Sequence, residues 1–141
     1  MGRTSRLDRV PRYAQIVRYL SEEWLSAADR AVRDASPAPS GALVIDQHID
    51  DEGTALCWRT TLGLQSRIER IAPESTGADA VFRQSYATAR AIAQGSSDAH
   101  QAFLLGDIRF EGSIDALITH RGSFEWLEQA LAPVMAATSW E

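Results

Sequence analysis

Apolar residues at Trp24, Leu25, Ala28, Ala31, Val32 and Ala35 follow the ~3.6-residue helical period and predict an amphipathic helix. Its start is well marked. Ser21 is a good N-cap, Glu22 and Glu23 suit the positive end, and Leu20 can staple onto Leu25. Pro37 and Pro39, set among Ser36, Ser40 and Gly41, end it. An earlier helix is predicted over Pro11–Leu20, with Pro11 in its first turn. The pattern then changes. Ala42–Ile49 is rich in strand formers, and Asp50–Gly53 is turn chemistry. From Thr54 to Leu64 the alternate residues Leu56, Trp58, Thr60, Leu62 and Leu64 share one face of a second strand. Ser66–Ala72 reads as a weaker third strand, Pro73–Gly77 as a loop and Ala80–Gln84 as a fourth strand. These four strands are expected to form an antiparallel meander with one helix-covered face.

The second half turns helical again. Tyr86–Gln94 is an Ala-rich helix stopped by Gly95. Ser97 is the predicted cap of a short helix over Asp98–Leu105, which Gly106 stops. Asp107–Glu111 alternates as a strand, with Ile108 and Phe110 on one side and Arg109 and Glu111 on the other. Ser113 caps a helix carrying Ile114, Leu117 and Ile118. Gly122 is expected to interrupt it and Ser123 to start a final helix, with Pro133 kinking or splitting that helix.

Three stretches carry a family resemblance. Tyr86–Gly95 is a helix ending in glycine, Ala102-Phe103-Leu104-Leu105-Gly106 is an AF-x-x-G turn, and Asp107–Ser113 is a short strand closed by Gly112. With the order of elements around them, over roughly residues 15–132, they resemble the sterol carrier protein type 2 family. The resemblance implies an α/β (α+β) domain. Its five-stranded mixed, largely antiparallel sheet would be covered by about five helices around an apolar tunnel. It also implies binding of sterols, fatty acyl chains or other lipids, with the C-terminal helices forming the tunnel wall or mouth. The register of the middle hairpin departs from the family, because Gly63 sits late in the second strand. The tail after Gly122, with Trp126 and Trp140, would narrow the tunnel, close it or pack on a partner.

Composition limits the function classes. At 141 residues, 45% hydrophobic and 23% charged, the chain suits one folded domain over 13–141 behind a tail, 1–12. The net charge of −5 is a poor match to nucleic acid, so no nucleic-acid partner is expected. The tail carries four Arg against one Asp and offers transient contact with an anionic membrane surface. All fourteen basic residues are Arg, which suggests a GC-rich bacterial source and removes lysine-based covalent chemistry. A single cysteine, Cys57, and the lack of a secretory leader or long apolar run suit the cytoplasm.

The sequence shows no nucleophile elbow, phosphate loop or zinc-protease signature, and no cofactor or metal is expected. Aromatic and aliphatic side chains are the better candidates for function. Phe82, Ile92, Phe103, Phe110, Leu117, Phe124, Leu127, Leu131 and Met135 are the expected lining of one apolar ligand space. The leading expectation is therefore a non-catalytic carrier that sequesters or transfers a lipid or other hydrophobic small molecule. A second is an enzyme, or an enzyme accessory, acting in the same cavity. It would use Tyr86, or His48 with Asp46 and Asp50, which share a strand face. A third is an interaction module that docks or forms a homodimer through its C-terminal helices.

Overall fold

The structure, a computed structural model, describes residues 17–140. The basic segment 1–12 and the start of the helix expected over Pro11–Leu20 lie outside the described residues. The end of that helix is corrected. Val17–Arg18 form a strand, β1, parallel to β7 (Thr138–Ser139). Val17 N–H donates to the Ala137 carbonyl at 3.0 Å, and Tyr19 N–H to that of Ser139 at 2.9 Å. Donors that a helix would use locally are taken by a segment far along the chain.

Helix α1 (Glu22–Ala35) starts at Ser21, whose Oγ accepts from the Trp24 N–H at 3.2 Å. Strands β2 (Leu43–Asp51) and β3 (Thr54–Leu62) form a hairpin with Asp51 opposite Thr54. Glu52 and Gly53 make its two-residue turn with φ of 51° and 91°, as a type I′ turn requires. Leu64, expected on the β3 face, lies past the strand end and is 86% exposed, because the ladder stops at the Leu43–Leu62 pair.

The main sheet has the order β4-β3-β2-β5-β6, with β4 at Arg67–Arg70, β5 at Ala80–Ser85 and β6 at Ile108–Gly112. It is mixed. β5 runs parallel to β2, with Ile45 opposite Ala80, and the other neighbours are antiparallel. The first four sheet strands are therefore not the simple meander that the local pattern predicts. Residues 71–79 carry the chain from the β4 edge to the far side of β2.

Helices α2 (Tyr86–Ala93), α3 (Ala99–Leu104), α4 (Ile114–Thr119) and α5 (Arg121–Ala136) complete the α+β fold. Two caps differ from expectation. Asp98, not Ser97, caps α3, accepting from His100 N–H at 2.7 Å. Ser123 does not start the final helix, because α5 already includes Gly122 and continues through Pro133. The Ser123 hydroxyl is buried and accepts from the Ser40 N–H at 3.0 Å, so it ties α5 to the loop after α1. Gly112, with φ of 125°, forms the corner between β6 and α4, where a Cβ would collide with the Asp79 carbonyl oxygen.

The helices cover one face of the sheet. Trp24, Leu25, Ala28 and Val32 of α1 pack with Ile49, Trp58 and Ile68 of the sheet and Val134 of α5. A second cluster joins Leu43, Ile45 and Leu62 to Ala38, with Phe82, Phe124 and Trp126 against it.

Candidate functional site

Strand alternation gives the sheet two chemically different faces. The covered face carries Leu43, Ile45 and Ile49 of β2, Trp58 and Leu62 of β3, Ala80 and Phe82 of β5, and Ile108 of β6. Three polar side chains interrupt these apolar tracks: Gln47 follows Ile45, Gln84 follows Phe82, and buried Thr60 lies between Trp58 and Leu62.

A pocket of about 320 Å³ lies on this covered face. The sheet contributes Gln47, Trp58, Phe82, Gln84 and Ile108. The helices contribute Ala89, Ile92 and Ala93 of α2, Ala99 of α3 and Phe124 of α5, and Tyr19 follows from β1. None of these residues is charged. The Gln84 Nε2 donates to Gln47 Oε1 at 3.3 Å, while Gln84 Oε1 is buried with no hydrogen-bond partner among the described residues. Such an orphan acceptor typically costs about 1–3 kcal/mol. Tyr19 stacks edge-on against Trp24, with centroids 5.2 Å apart. Burial, and then the neighbouring Tyr86, push its phenol well above the usual tyrosine range, so it stays protonated.

The nine apolar residues singled out in the sequence divide into groups. Phe82, Ile92 and Phe124 meet in the pocket. Phe110 packs on Phe82, with centroids 5.3 Å apart. Leu127, Leu131 and Met135 lie against the main core cluster. Leu117 is half-buried on α4, and Phe103 is 46% exposed on α3. Gln47, Trp58, Gln84 and Ile108 also line the pocket and were not among the nine. The two glutamines were signalled by a polar residue in an apolar alternating track. The alanines of α2 and α3 had no signal, since they matter only as the low wall that leaves space.

The opposite face is polar. A groove of about 660 Å³ lies there, lined in part by His48, Cys57, Arg83 and Arg109. These four occupy one cross-strand row over β3, β2, β5 and β6. The Cys57 Sγ lies 3.3 Å from His48 Nδ1. Burial raises the thiol pKa, while burial and then Arg83 lower that of the imidazole. The pair is therefore neutral at physiological pH rather than a thiolate with an imidazolium. Arg83 donates to Glu111 at 2.9 Å, and this bond holds the Glu111 carboxyl below its ordinary value.

His48, Asp46 and Asp50 do share this open face, but not as one cluster and not in the apolar pocket. Asp46 is 1% exposed and accepts from Arg59 Nε and Nη2 at 2.7 and 2.9 Å. Arg59 also donates to the Thr76 carbonyl, which draws the crossover segment over this part of the sheet. Asp50 accepts from the Gly53 N–H in the hairpin turn at 3.1 Å. Tyr86 does not line the pocket; its hydroxyl is directed at the Tyr19 carbonyl at 3.5 Å. Among the described residues, no group of three His, Cys, Asp or Glu side chains is placed to hold a metal ion. No helix among them is long and apolar enough to cross a membrane.

No protein-family model matches the chain, and no curated protein matches it in sequence. Solved structures match it in shape. A conserved hypothetical protein of Thermus thermophilus, whose description suggests a sterol carrier protein, superposes with a TM-score of 0.64 at 16% identity, covering 85% of this chain and 90% of that one. A crystal structure of sterol carrier protein 2 gives a TM-score of 0.60 at 15% identity over 86% of this chain and 99% of that one. The palmitated sterol carrier protein 2 like 2 of Aedes aegypti gives 0.54 at 18% identity over 72% and 94%. At these identities the likeness concerns architecture, and the chain has the sterol carrier protein 2 fold.

Proposed function

We propose that this domain reversibly binds a lipid or other hydrophobic small molecule in the covered-face pocket, as a carrier and not as a catalyst. The observation that carries this reading is an uncharged pocket of about 320 Å³, walled by Trp58, Phe82, Ile92, Ile108 and Phe124, in a region where a closed core would be filled. Its size is at the lower end of small-molecule sites. Burying ~300 Å² of ligand hydrocarbon at ~25 cal/mol/Å² supplies roughly 7 kcal/mol before entropic costs. No reactive side chain is needed for that. The shared fold supports the reading, as does the palmitated state of one similar structure. The Arg-rich segment 1–12 would give such a carrier brief contact with an anionic membrane surface.

Native mass spectrometry of the purified protein, incubated with a lipid extract and then desalted, tests the proposal. A retained apolar ligand at one-to-one stoichiometry is expected. An unliganded protein at every lipid concentration overturns it.

A further inference from the structure

We propose that Gln47 and Gln84 form a head-group subsite that favours a neutral, hydroxyl-bearing lipid over an ionised fatty acid of the same chain length. This rests on the pocket reading above and adds the chemical class of its occupant. Packing alone gives no reason for two amides side by side on the covered face, where Leu, Ile or Met would fill the same tracks. One hydrogen bond of 3.3 Å joins them and leaves Gln84 Oε1 without a partner among the described residues.

The orientation of a glutamine amide is set by its hydrogen bonds, so two arrangements of this pair need weighing. With the Gln84 amide donating to Gln47, an acceptor is left over. With both amides turned, a donor is left over. A hydroxyl both donates and accepts, and so completes either arrangement. An ionised carboxylate only accepts, and it brings a charge. Among the described residues, the pocket lining has no cation to meet that charge. Arg83, next to Gln84 in β5, points to the opposite face and is held by Glu111 at 2.9 Å. Moving a carboxylate from water into this uncharged site would favour its protonated form and weaken binding above the carboxylate range.

The experiment is competition of 1-decanol, decane and decanoate against a fluorescent fatty probe at about pH 8, where decanoate is ionised. Wild-type protein is expected to bind decanol about tenfold more tightly than decane or decanoate, the equivalent of one good hydrogen bond. Gln84→Leu is expected to abolish the preference for decanol over decane while retaining decane affinity. Gln47→Leu, which removes the partner amide, provides an independent variant should Gln84→Leu not fold, and is expected to weaken the preference in the same direction. Decanoate binding as tightly as decanol, or an unchanged decanol-to-decane ratio in the folded variants, overturns the head-group assignment alone. Failure of all three molecules and of the probe to bind overturns the pocket reading, and the assignment with it.

Discussion

The two faces of the sheet use the same strands for opposite ends. On the open face, polar groups find one another. Asp46 binds Arg59, His48 lies against Cys57, Arg83 binds Glu111, and Asp50 holds its own turn. On the covered face, apolar side chains fill the space under α1 but leave a pocket between α2, α3, Phe124 of α5 and the strands β3, β2, β5 and β6. There Gln47 and Gln84 share one hydrogen bond, and Gln84 Oε1 is left without a partner among the described residues. The open face has the larger concavity and the titratable groups, yet the unmet acceptor of Gln84 is in the covered-face pocket; Ser66 Oγ and His120 Nδ1, outside both concavities, are the other buried polar atoms without a partner among the described residues. Volume and unmet bonding therefore point to different faces of the same sheet.

That contrast can be broken in several places. The largest effect is expected beneath the pocket, in the filled part of the covered face. Ile49→Ala removes a side chain that is 1% exposed and should cost about 3–4 kcal/mol in denaturant unfolding. A loss below about 1 kcal/mol would mean that this region is not close-packed. Asp46→Ala should cost about 3 kcal/mol, since it leaves Arg59 facing a buried position without its carboxylate. That value is placed at the low end for buried pairs because Arg59 keeps some solvent and the Thr76 carbonyl.

Filling the pocket should separate binding from folding. Ala93→Phe places a ring beside Ile92 and Ile108 and is expected to lower ligand affinity more than tenfold while changing stability by about 1 kcal/mol or less. Unchanged affinity for a bound lipid would move the site elsewhere. Cys57→Ser on the opposite face should leave lipid affinity unchanged and cost about 1 kcal/mol in stability. A loss of binding in that variant would assign function to the open face.

The smallest effect is a pH dependence. The His48 pKa is lowered from 6.5 in the folded protein, by burial first and then by Arg83. The unfolded chain therefore takes up a proton more readily as pH falls through 6.5 toward the folded value. This group's contribution to stability is present above that window and lost below it. Unfolding midpoints measured on either side of it should fall less steeply with acid in His48→Gln than in wild type. Parallel curves for the two proteins would show that His48 titrates alike folded and unfolded.

Much of the fold was readable because its signals are local. Ser21 and Ser113 cap the helices they precede, and the Glu52–Gly53 turn lies within the stretch read as turn chemistry. The α3 cap is a local error, a one-residue shift from Ser97 to Asp98, but three larger errors have a common cause. Val17–Arg18, Ser123 and β5 each take their final partners from residues far along the chain. Of the candidate site, Phe82, Ile92 and Phe124 were among the aromatic and aliphatic candidates named from the sequence, and Phe110 lies beside Phe82. Leu127, Leu131 and Met135 share that apolar character but pack against the main cluster. An apolar stripe reports that a side chain will leave water; it does not report whether another side chain will fill the space beside it.

Taken alone, the amino-acid order determined the α+β class, most element boundaries and the sterol-carrier-like arrangement of the second half. Helix period, capping hydroxyls and turn residues act within a few positions, through backbone sterics and short hydrogen bonds. Tertiary structure decided that β5 joins β2 in parallel, that His48 and the pocket lie on opposite faces, and that Gln47 meets Gln84 inside an apolar wall. Those outcomes depend on volumes and on pairings between distant segments, which exist only once the sheet and its helices have packed.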